Sequence, residues 1–246
     1  MQNSNNRRII LKSIRLDKFL SDAQLGTRSQ VKQLLKKGLI TVNGEISKKP
    51  ELRIDPAGDR VCFDGQEISP EKEVYYMLNK PAGVVCATQD NHERTVLDLF
   101  AQADRRPDLF PAGRLDKDTT GLLLITNDGP LSHRLLSPRR HVDKTYFVRV
   151  EGIITEETAK AFEKGLDIGD EKPTLPAILK QLSENEALVT IHEGRFHQIK
   201  RMFHAAGCEV VCLKRLSMGS LVLDEQLPEG SYRKLTQKEI SLLKQH

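Results

Sequence analysis

The sequence predicts an α+β protein in two parts: a small N-terminal module of two helices with short hairpins, then a larger domain built on a mixed, mostly antiparallel sheet. Three observations predict it. A punctuated helix is followed by two turn dipeptides before residue 68, a short polar stretch comes next, and from residue 74 onward β-rich segments outnumber helical ones. The expected division is residues 1–14 as an N-terminal extension, 15–72 as the module, and 73–246 as the larger domain, with Ser69-Pro70-Glu71-Lys72-Glu73 as the linker.

The first helix is expected from Leu16, Phe19 and Leu20, apolar at helical spacing, and ends near Gly26. The second carries its own punctuation. Thr27 is placed as an N-cap with Gln30 three residues on, a capping box, and Gly38 sits where a left-handed closing residue belongs. Val31, Leu34 and Leu35 point one way, while Arg28, Lys32 and Lys36 recur at i, i+4 and i+8 and share the other face as a basic ridge. After Gly38 the period becomes two. Asn43-Gly44 between ITV and EIS, and Asp64-Gly65 between RVCF and QEI, each signal a hairpin. On residue pattern alone the ridge is either a solvated helix face or a phosphate-binding one.

In the larger domain, strands are expected at VYYML, TGLLLIT, KTYFVRVEG, EALVTIHE and EVVCLKRL, and helices near 155–164 and 196–206. In KTYFVRV, period two puts Lys144, Tyr146 and Val148 on one face. The helix near 196–206 is expected to close at Gly207 and to turn Phe196, Ile199 and Phe203 inward.

Composition narrows the function classes. With 246 residues, 38% hydrophobic and 29% charged, the chain is an ordinary globular protein and not a disordered one. Its net charge of +4 suits a polyanionic partner without demanding one. The four cysteines form no C-x-x-C pair and are read as reduced thiols. No apolar run approaches the ~20 residues of a membrane span and no secretory leader is evident, so a cytoplasmic protein with no membrane partner is expected. With no Trp, 8 Phe and 4 Tyr, any platform for stacked bases must use few aromatics. Glycine-rich dinucleotide and triphosphate loops are absent, and no cofactor is expected. His192, His197, His204 and Cys208 cluster, but their spacing matches no structural zinc pattern, so no metal site is expected.

Chemistry points to Pro111–Gly129, where a turn-prone segment with two carboxylates leads into an apolar strand. Asp116 would sit in a loop beside that strand, kept ionised by Arg114 and Lys117 as a nucleophile or base requires. Equally, Asp116 and Asp118 could simply form the turn. Tyr146 read alone is a half-buried strand residue.

Resemblance decides between these readings. Residues 15 to about 60, beginning RLDKFLSDAQLGTRSQVKQLLKKGLITVNGEI, resemble the αL RNA-binding module shared with a small-subunit ribosomal protein. Four further motifs resemble the ribosomal pseudouridine synthases and come in that family's order. They are N-K-P-x-G at Asn79 to Gly83, G-R-L-D-x-D-T-x-G-L-L-L at Gly113 to Leu124, K-T-Y at Lys144 to Tyr146, and G-R-F-H-Q-I-K-R-M-F at Gly194 to Phe203.

The resemblance implies an enzyme that isomerises one uridine of ribosomal RNA, free or in a pre-ribosomal particle, without a cofactor. It implies that Asp116 is the essential carboxylate, attacking or deprotonating the ribose, and that Arg114 fills the gap left by the flipped uridine. Tyr146 would stack on the base and help remove the C5 proton. Lys200 would pair with Asp116 through one carboxylate oxygen, with Ile199 against the base. Lys144 is taken as a further substrate contact on the Tyr146 face, and Arg28, Lys32 and Lys36 as phosphate contacts. Arg201 is read as a phosphate contact or solvated, and Asp118 as a turn former.

SPRRHVDKTYFVRVEG resembles the branch acting on small-subunit (16S) RNA, with a large-subunit (23S) uridine as the alternative. A non-catalytic ribosome-assembly factor is disfavoured by Asp116, Tyr146 and Lys200 standing together, and a methyltransferase by the missing nucleotide loop. A monomer is expected, since no uncovered apolar stripe is evident.

Overall fold

The computed structural model describes residues 13–23, 25–56, 58–68, 73–137 and 140–245. The expected N-terminal extension, up to residue 12, and linker residues 69–72 lie outside them. The chain divides into two compact units, Met1–Lys72 and Glu73–His246.

The first unit opens with β1 (Ile14–Arg15), α1 (Leu16–Asp22) and α2 (Arg28–Lys36), followed by β2 (Ile40–Val42), β3 (Glu45–Ile46), β4 (Arg53–Ile54), β5 (Val61–Phe63) and β6 (Gln66–Ile68). At the start of α2 the Thr27 hydroxyl accepts from the Gln30 N–H while the Gln30 side chain accepts from the Thr27 N–H, so two donors that a helix start leaves open are both met. Asn43 and Gly44 are both left-handed, with φ of 53° and 87°, which matches a two-residue turn to the twist of the β2–β3 pair. Asp64 and Gly65 do the same between β5 and β6. The sheet order is β3-β2-β5-β6, and β1 pairs separately with β4. Leu16, Phe19, Leu20, Val31, Leu35, Ile40, Ile54 and Val61 form its core, with Leu34 packed against them.

The second unit contains β7 (Tyr75–Lys80), a short 3-10 helix (Val96–Leu99), β8 (Phe110–Ala112), β9 (Thr120–Thr126), α3 (Gly129–Leu136), β10 (Lys144–Glu151) and α4 (Glu156–Lys164). Next come β11 (Ile178–Gln181), β12 (Glu186–Ile191), α5 (Gln198–Ala205), β13 (Glu209–Met218), β14 (Leu221–Val222), β15 (Tyr232–Lys234) and α6 (Gln237–Leu243). The nine-stranded sheet runs β11-β12-β10-β13-β9-β7-β15, with β14 on β13 and β8 on β9. Among the described residues only its β13–β9 pair is parallel, so the sheet is mixed and mostly antiparallel as its pattern predicts.

Both faces of this sheet are covered, which is why β7 and β9 read as nearly unbroken apolar runs. On one face Tyr76, Leu78, Leu123 and Ile125 join Tyr146, Val148 and Val189 beneath Phe162 of α4 and Ile199, Met202 and Phe203 of α5. On the other, Tyr75, Met77, Leu122 and Leu124 pack against Leu131 and Leu135 of α3 and Leu243 of α6. Helices α3 and α6 go beyond the elements expected from periodicity. Asp128 caps α3 by accepting from the Leu131 N–H. At α6 the Thr236–Glu239 capping box was a readable signal.

One expected inner-face residue is elsewhere. Phe196 precedes α5 and is 71% exposed, because His197 adopts a left-handed φ of 49° and turns the chain just before the helix begins. Met202 takes its place inside, beside Ile199 and Phe203. Gly207, with a φ of 80°, closes the helix as expected. No helix among the described residues is long and apolar enough to cross a membrane.

Candidate active site

A single turn carries the carboxylates. Between β8 and β9 the chain folds back so that the Thr119 N–H donates to the Asp116 carbonyl at 3.1 Å. The turn is built around Lys80, at the end of β7 and fully buried. Its ammonium donates to the carbonyls of Thr119 at 2.8 Å, Asp116 and Pro81 at 3.0 Å, and Lys117 at 3.2 Å. Burial lowers the Lys80 pKa, and the nearby Cys86, Asp118 and Asp116 oppose that shift. The lysine of the N-K-P-x-G motif thus acts as a clip that fixes the backbone from which Asp116 projects, and β9 at once enters the core.

The turn opens into a cavity of about 700 Å³. Arg114, Asp116, Lys144, Tyr146 and Ile199 all line it, brought there from the turn, β10 and α5. Cys86, Thr119, His197, Leu213 and Arg215 line it as well. Of these, Tyr146 and Ile199 are buried and Arg114 is exposed. The alternation expected for β10 is the one observed, with Lys144, Tyr146, Val148 and Val150 all buried.

The groups around Asp116 differ from those its neighbours in sequence suggest. Lys117 turns away to pair with Glu93 at 2.8 Å. Instead Lys200 Nζ lies 3.3 Å from Asp116 Oδ2 and His197 Nε2 lies 3.6 Å from Oδ1. Lys200 does hold one oxygen of Asp116, but it sits nearer Asp118, at 2.6 Å from Oδ1. Asp118 is therefore a second partner of the lysine as well as a turn residue. Burial opposes its ionisation, yet the Lys200 hydrogen bond and charge outweigh that and hold its carboxyl below the usual range.

Arg201, half-buried, is held by partners within the protein. Its Nε donates to the Ile168 carbonyl at 3.1 Å and its Nη1 to the Phe196 carbonyl at 3.0 Å, and it pairs with Asp170. It ties the segment before α5 to the loop after α4. Arg195 works alongside, donating to the carbonyls of Lys172 at 2.6 Å and Pro173 at 2.8 Å.

The cavity is also lined by groups that the motifs did not single out. Arg215 of β13 is 2% exposed and pairs in register with Tyr146 on one side and Gly121 on the other. Any Cβ at Gly121 would lie 2.3 Å from the Arg215 carbonyl oxygen, so only glycine lets β9 approach here. A signal for Arg215 was present: it shares strand parity with the apolar Leu213, so period two turns it inward. Burial pushes the Cys86 thiol up, although it accepts from the Leu115 N–H at 3.2 Å.

In the first unit, Arg28, Lys32 and Lys36 are exposed along one face of α2 while Val31 and Leu35 are buried on the other. The arrangement can meet a polyanion. The second unit presents a carboxylate with a lysine and a histidine beside it at a cavity also lined by a tyrosine, which suits nucleophilic or general-base chemistry on a flat, bound ring.

Comparisons with known proteins agree with that division. The profile of the family described as RNA pseudouridylate synthase matches residues 74–205, and that of the S4 domain matches residues 14–61. The chain is 44% identical over 229 residues to the ribosomal small subunit pseudouridine synthase A of Vibrio cholerae, covering 93% of this chain and 98% of that protein. It is 43% identical over 231 residues to the protein of the same name from Escherichia coli, covering 93% and 99% respectively. An RNA pseudouridine synthase of Bacillus subtilis, YtzG, is 44% identical over 94% of this chain and 98% of its own length. A crystal structure of a pseudouridylate synthase superposes with a TM-score of 0.67 at 42% identity, covering 94% of this chain and all of that one.

Proposed function

The chain belongs to the RNA pseudouridylate synthase family, and from that premise we propose that it isomerises one uridine of small-subunit ribosomal RNA in the cytoplasm, with Asp116 as the essential carboxylate. The observation that carries the site is the meeting of Asp116, Lys200 and His197 at a cavity also lined by Tyr146 and Ile199. The similarity to relatives named for the small subunit supports the choice of RNA.

Isomerisation breaks the bond from N1 to C1′, turns the uracil, and rejoins it through C5. The base must first leave its stack, at a cost of a few kcal/mol. In this reading the exposed ridge of α2 helps hold the RNA by its phosphates, Arg114 occupies the gap left by the nucleotide, and Tyr146 stacks on the base. Asp116, paired with Lys200, attacks C1′ or removes a ribose proton. Tyr146 then helps take the proton from C5. Nothing is oxidised or reduced and no group is donated, so the chemistry calls for no cofactor.

Incubating the protein with unmodified small-subunit and large-subunit RNA, and with partly assembled particles of each, tests this. Pseudouridine is mapped by carbodiimide adducts and primer extension. New stops only in small-subunit RNA or its particles are expected. Stops only in large-subunit RNA would move the substrate, and binding without stops would favour an assembly factor.

A further inference from the structure

Two buried cations line the cavity without an ion pair to a carboxylate among the described residues, Asp143 reaching Lys144 only through its charge. Arg215, 2% exposed, makes one hydrogen bond among the described residues, from Nε to the Leu122 carbonyl at 2.7 Å; its Nη2 is buried without a partner. Lys144, 7% exposed, donates from Nζ to the Val142 carbonyl at 2.8 Å and forms no ion pair among the described residues. Thr119 also lines the cavity, and its buried Oγ1, like Arg215 Nη2, has no hydrogen-bond partner among the described residues. Unpaired buried charge is costly, and a fold retains it where a ligand completes the arrangement.

We infer that Arg215 and Lys144 bind the carbonyl oxygens of the target uracil and hold the negative charge that the base acquires as its bond to the ribose breaks. This rests on the reading that the uridine enters beside Asp116 and Tyr146.

Placement on the sheet selects the base over a phosphate. Arg215 is the register partner of Tyr146, and Lys144 lies two residues before Tyr146 on the same face. The walls around them are Ile191, Ile199 and Leu213, which suit a flat ring. Arg114 and Lys117, at the turn, are exposed cations, where a nucleotide's phosphates would remain in water. Uracil offers two acceptors, O2 and O4, and the buried groups offer N–H donors.

The charge accounting points the same way. When the N1–C1′ bond breaks, its electron pair stays with the uracil and spreads over N1, O2 and O4. The sugar carbon is satisfied by a bond to the Asp116 carboxylate or by loss of the C2′ proton. Once the ring has turned, C5 bonds to C1′ as the Asp116–C1′ bond breaks or, on the other route, as the C2′ proton returns from Asp116; the C5 proton then leaves and N1 gains one, so the product is an isomer. The step that separates charge forms an anion between two desolvated cations, where such stabilisation is strongest. The two cations also act on each other: Lys144 is pushed down to about 8, first by burial and then by the charge of Arg215.

The test compares Arg215→Met and Lys144→Met with the wild-type protein in single-turnover reactions on two RNAs, in whichever form, free or particle, the wild type modifies. One RNA carries uridine, read by tritium release from C5. The other carries 5-fluorouridine, read by the 19F resonance of the base, which moves when C5 becomes tetrahedral. Fluorine stabilises the departing anion by itself. Each variant is expected to lose about a hundredfold on uridine and clearly less on 5-fluorouridine, with RNA affinity unchanged. Equal losses on both RNAs would show that the residues only shape the pocket. A loss in affinity would make them phosphate contacts, and no loss would end the idea. Thermal melting reports whether Arg215→Met folds, and Lys144→Met carries the test if it does not. Failure of the site reading looks different: Asp116→Asn would then stay active.

Discussion

Lys200 Nζ lies 2.6 Å from Asp118 Oδ1 and 3.3 Å from Asp116 Oδ2, so one lysine is shared by both carboxylates of the turn. Asp118 is the more exposed of the two, with 71% of its side chain accessible against 27% for Asp116. Water therefore weakens the shorter contact more than the longer one. The longer contact is the one at the cavity, which Asp116 lines, while Asp118 holds the lysine from its exposed side.

Asp116→Asn keeps the size and hydrogen bonding of the residue and removes its charge. Pseudouridine formation is expected to fall at least about a thousandfold, the scale of losing a nucleophile or base. RNA affinity and melting temperature should stay near wild type. Tritium release from 5-tritiated uridine measures the first and thermal melting the second; substantial release would remove Asp116 from the mechanism.

Asp118→Asn and Lys200→Met separate the two carboxylates. Without Asp118 the ammonium still has Asp116, and a loss within about tenfold is expected, since the pair removed is an exposed one. Without Lys200 the aspartate loses its nearest cation and turnover should drop by about a hundredfold. If Asp118→Asn matched Asp116→Asn in the same release assay, the essential carboxylate would have been misassigned.

Lys80→Met leaves the carbonyls of Pro81, Asp116, Lys117 and Thr119 without their shared donor in a buried site. The cost is expected to be about 2–4 kcal/mol, read as a lower urea midpoint. Activity should fall by more than the reduced stability explains, because the turn bearing Asp116 is released. Full activity at a temperature where the variant is folded would show that the clip is dispensable.

Lys32→Glu with Lys36→Glu reverses charge on the exposed face of α2. RNA affinity should weaken, and the slope of log affinity against log salt should flatten by about one unit for each phosphate that is no longer neutralised. The melting temperature should hold. An unchanged slope would mean that this ridge does not meet RNA.

Lys144→Met sets function against stability. The Lys144 pKa in the folded protein, about 8, lies below its ordinary value of 10.5. The folded state therefore binds its proton less readily, and below pH 8 the buried charge is a full penalty that shrinks as pH rises from 8 toward 10.5. Removing the charge should stabilise the fold by about 2 kcal/mol at about pH 7, with the advantage narrowing at about pH 9.5, while activity collapses. Melting curves at both pH values decide it; a lower melting temperature at the neutral pH would mean that the lysine contributes to the fold.

The legible parts of this protein are those set by neighbours along the chain. The Thr27–Gln30 capping box, the Asn43-Gly44 and Asp64-Gly65 turns, and the inward parity of Lys144, Tyr146 and Val148 depend on bonds three or four residues apart or on strand period two. The order of four short motifs likewise marked the family, and with it Asp116.

Tertiary structure decided the partners. Lys80 finds carbonyls 36 to 39 residues away, Lys200 reaches a carboxylate 82 residues away, and Arg215 stands beside Tyr146 only because β13 pairs with β10. Lys117, adjacent to Asp116 in sequence, leaves it for Glu93, and Phe196 is turned outward by one left-handed residue. Such outcomes depend on which strands share a ladder and on which of several charges comes closest. Coulomb energy between these groups is decided by distance and solvent access, and neither is carried by spacing along the chain.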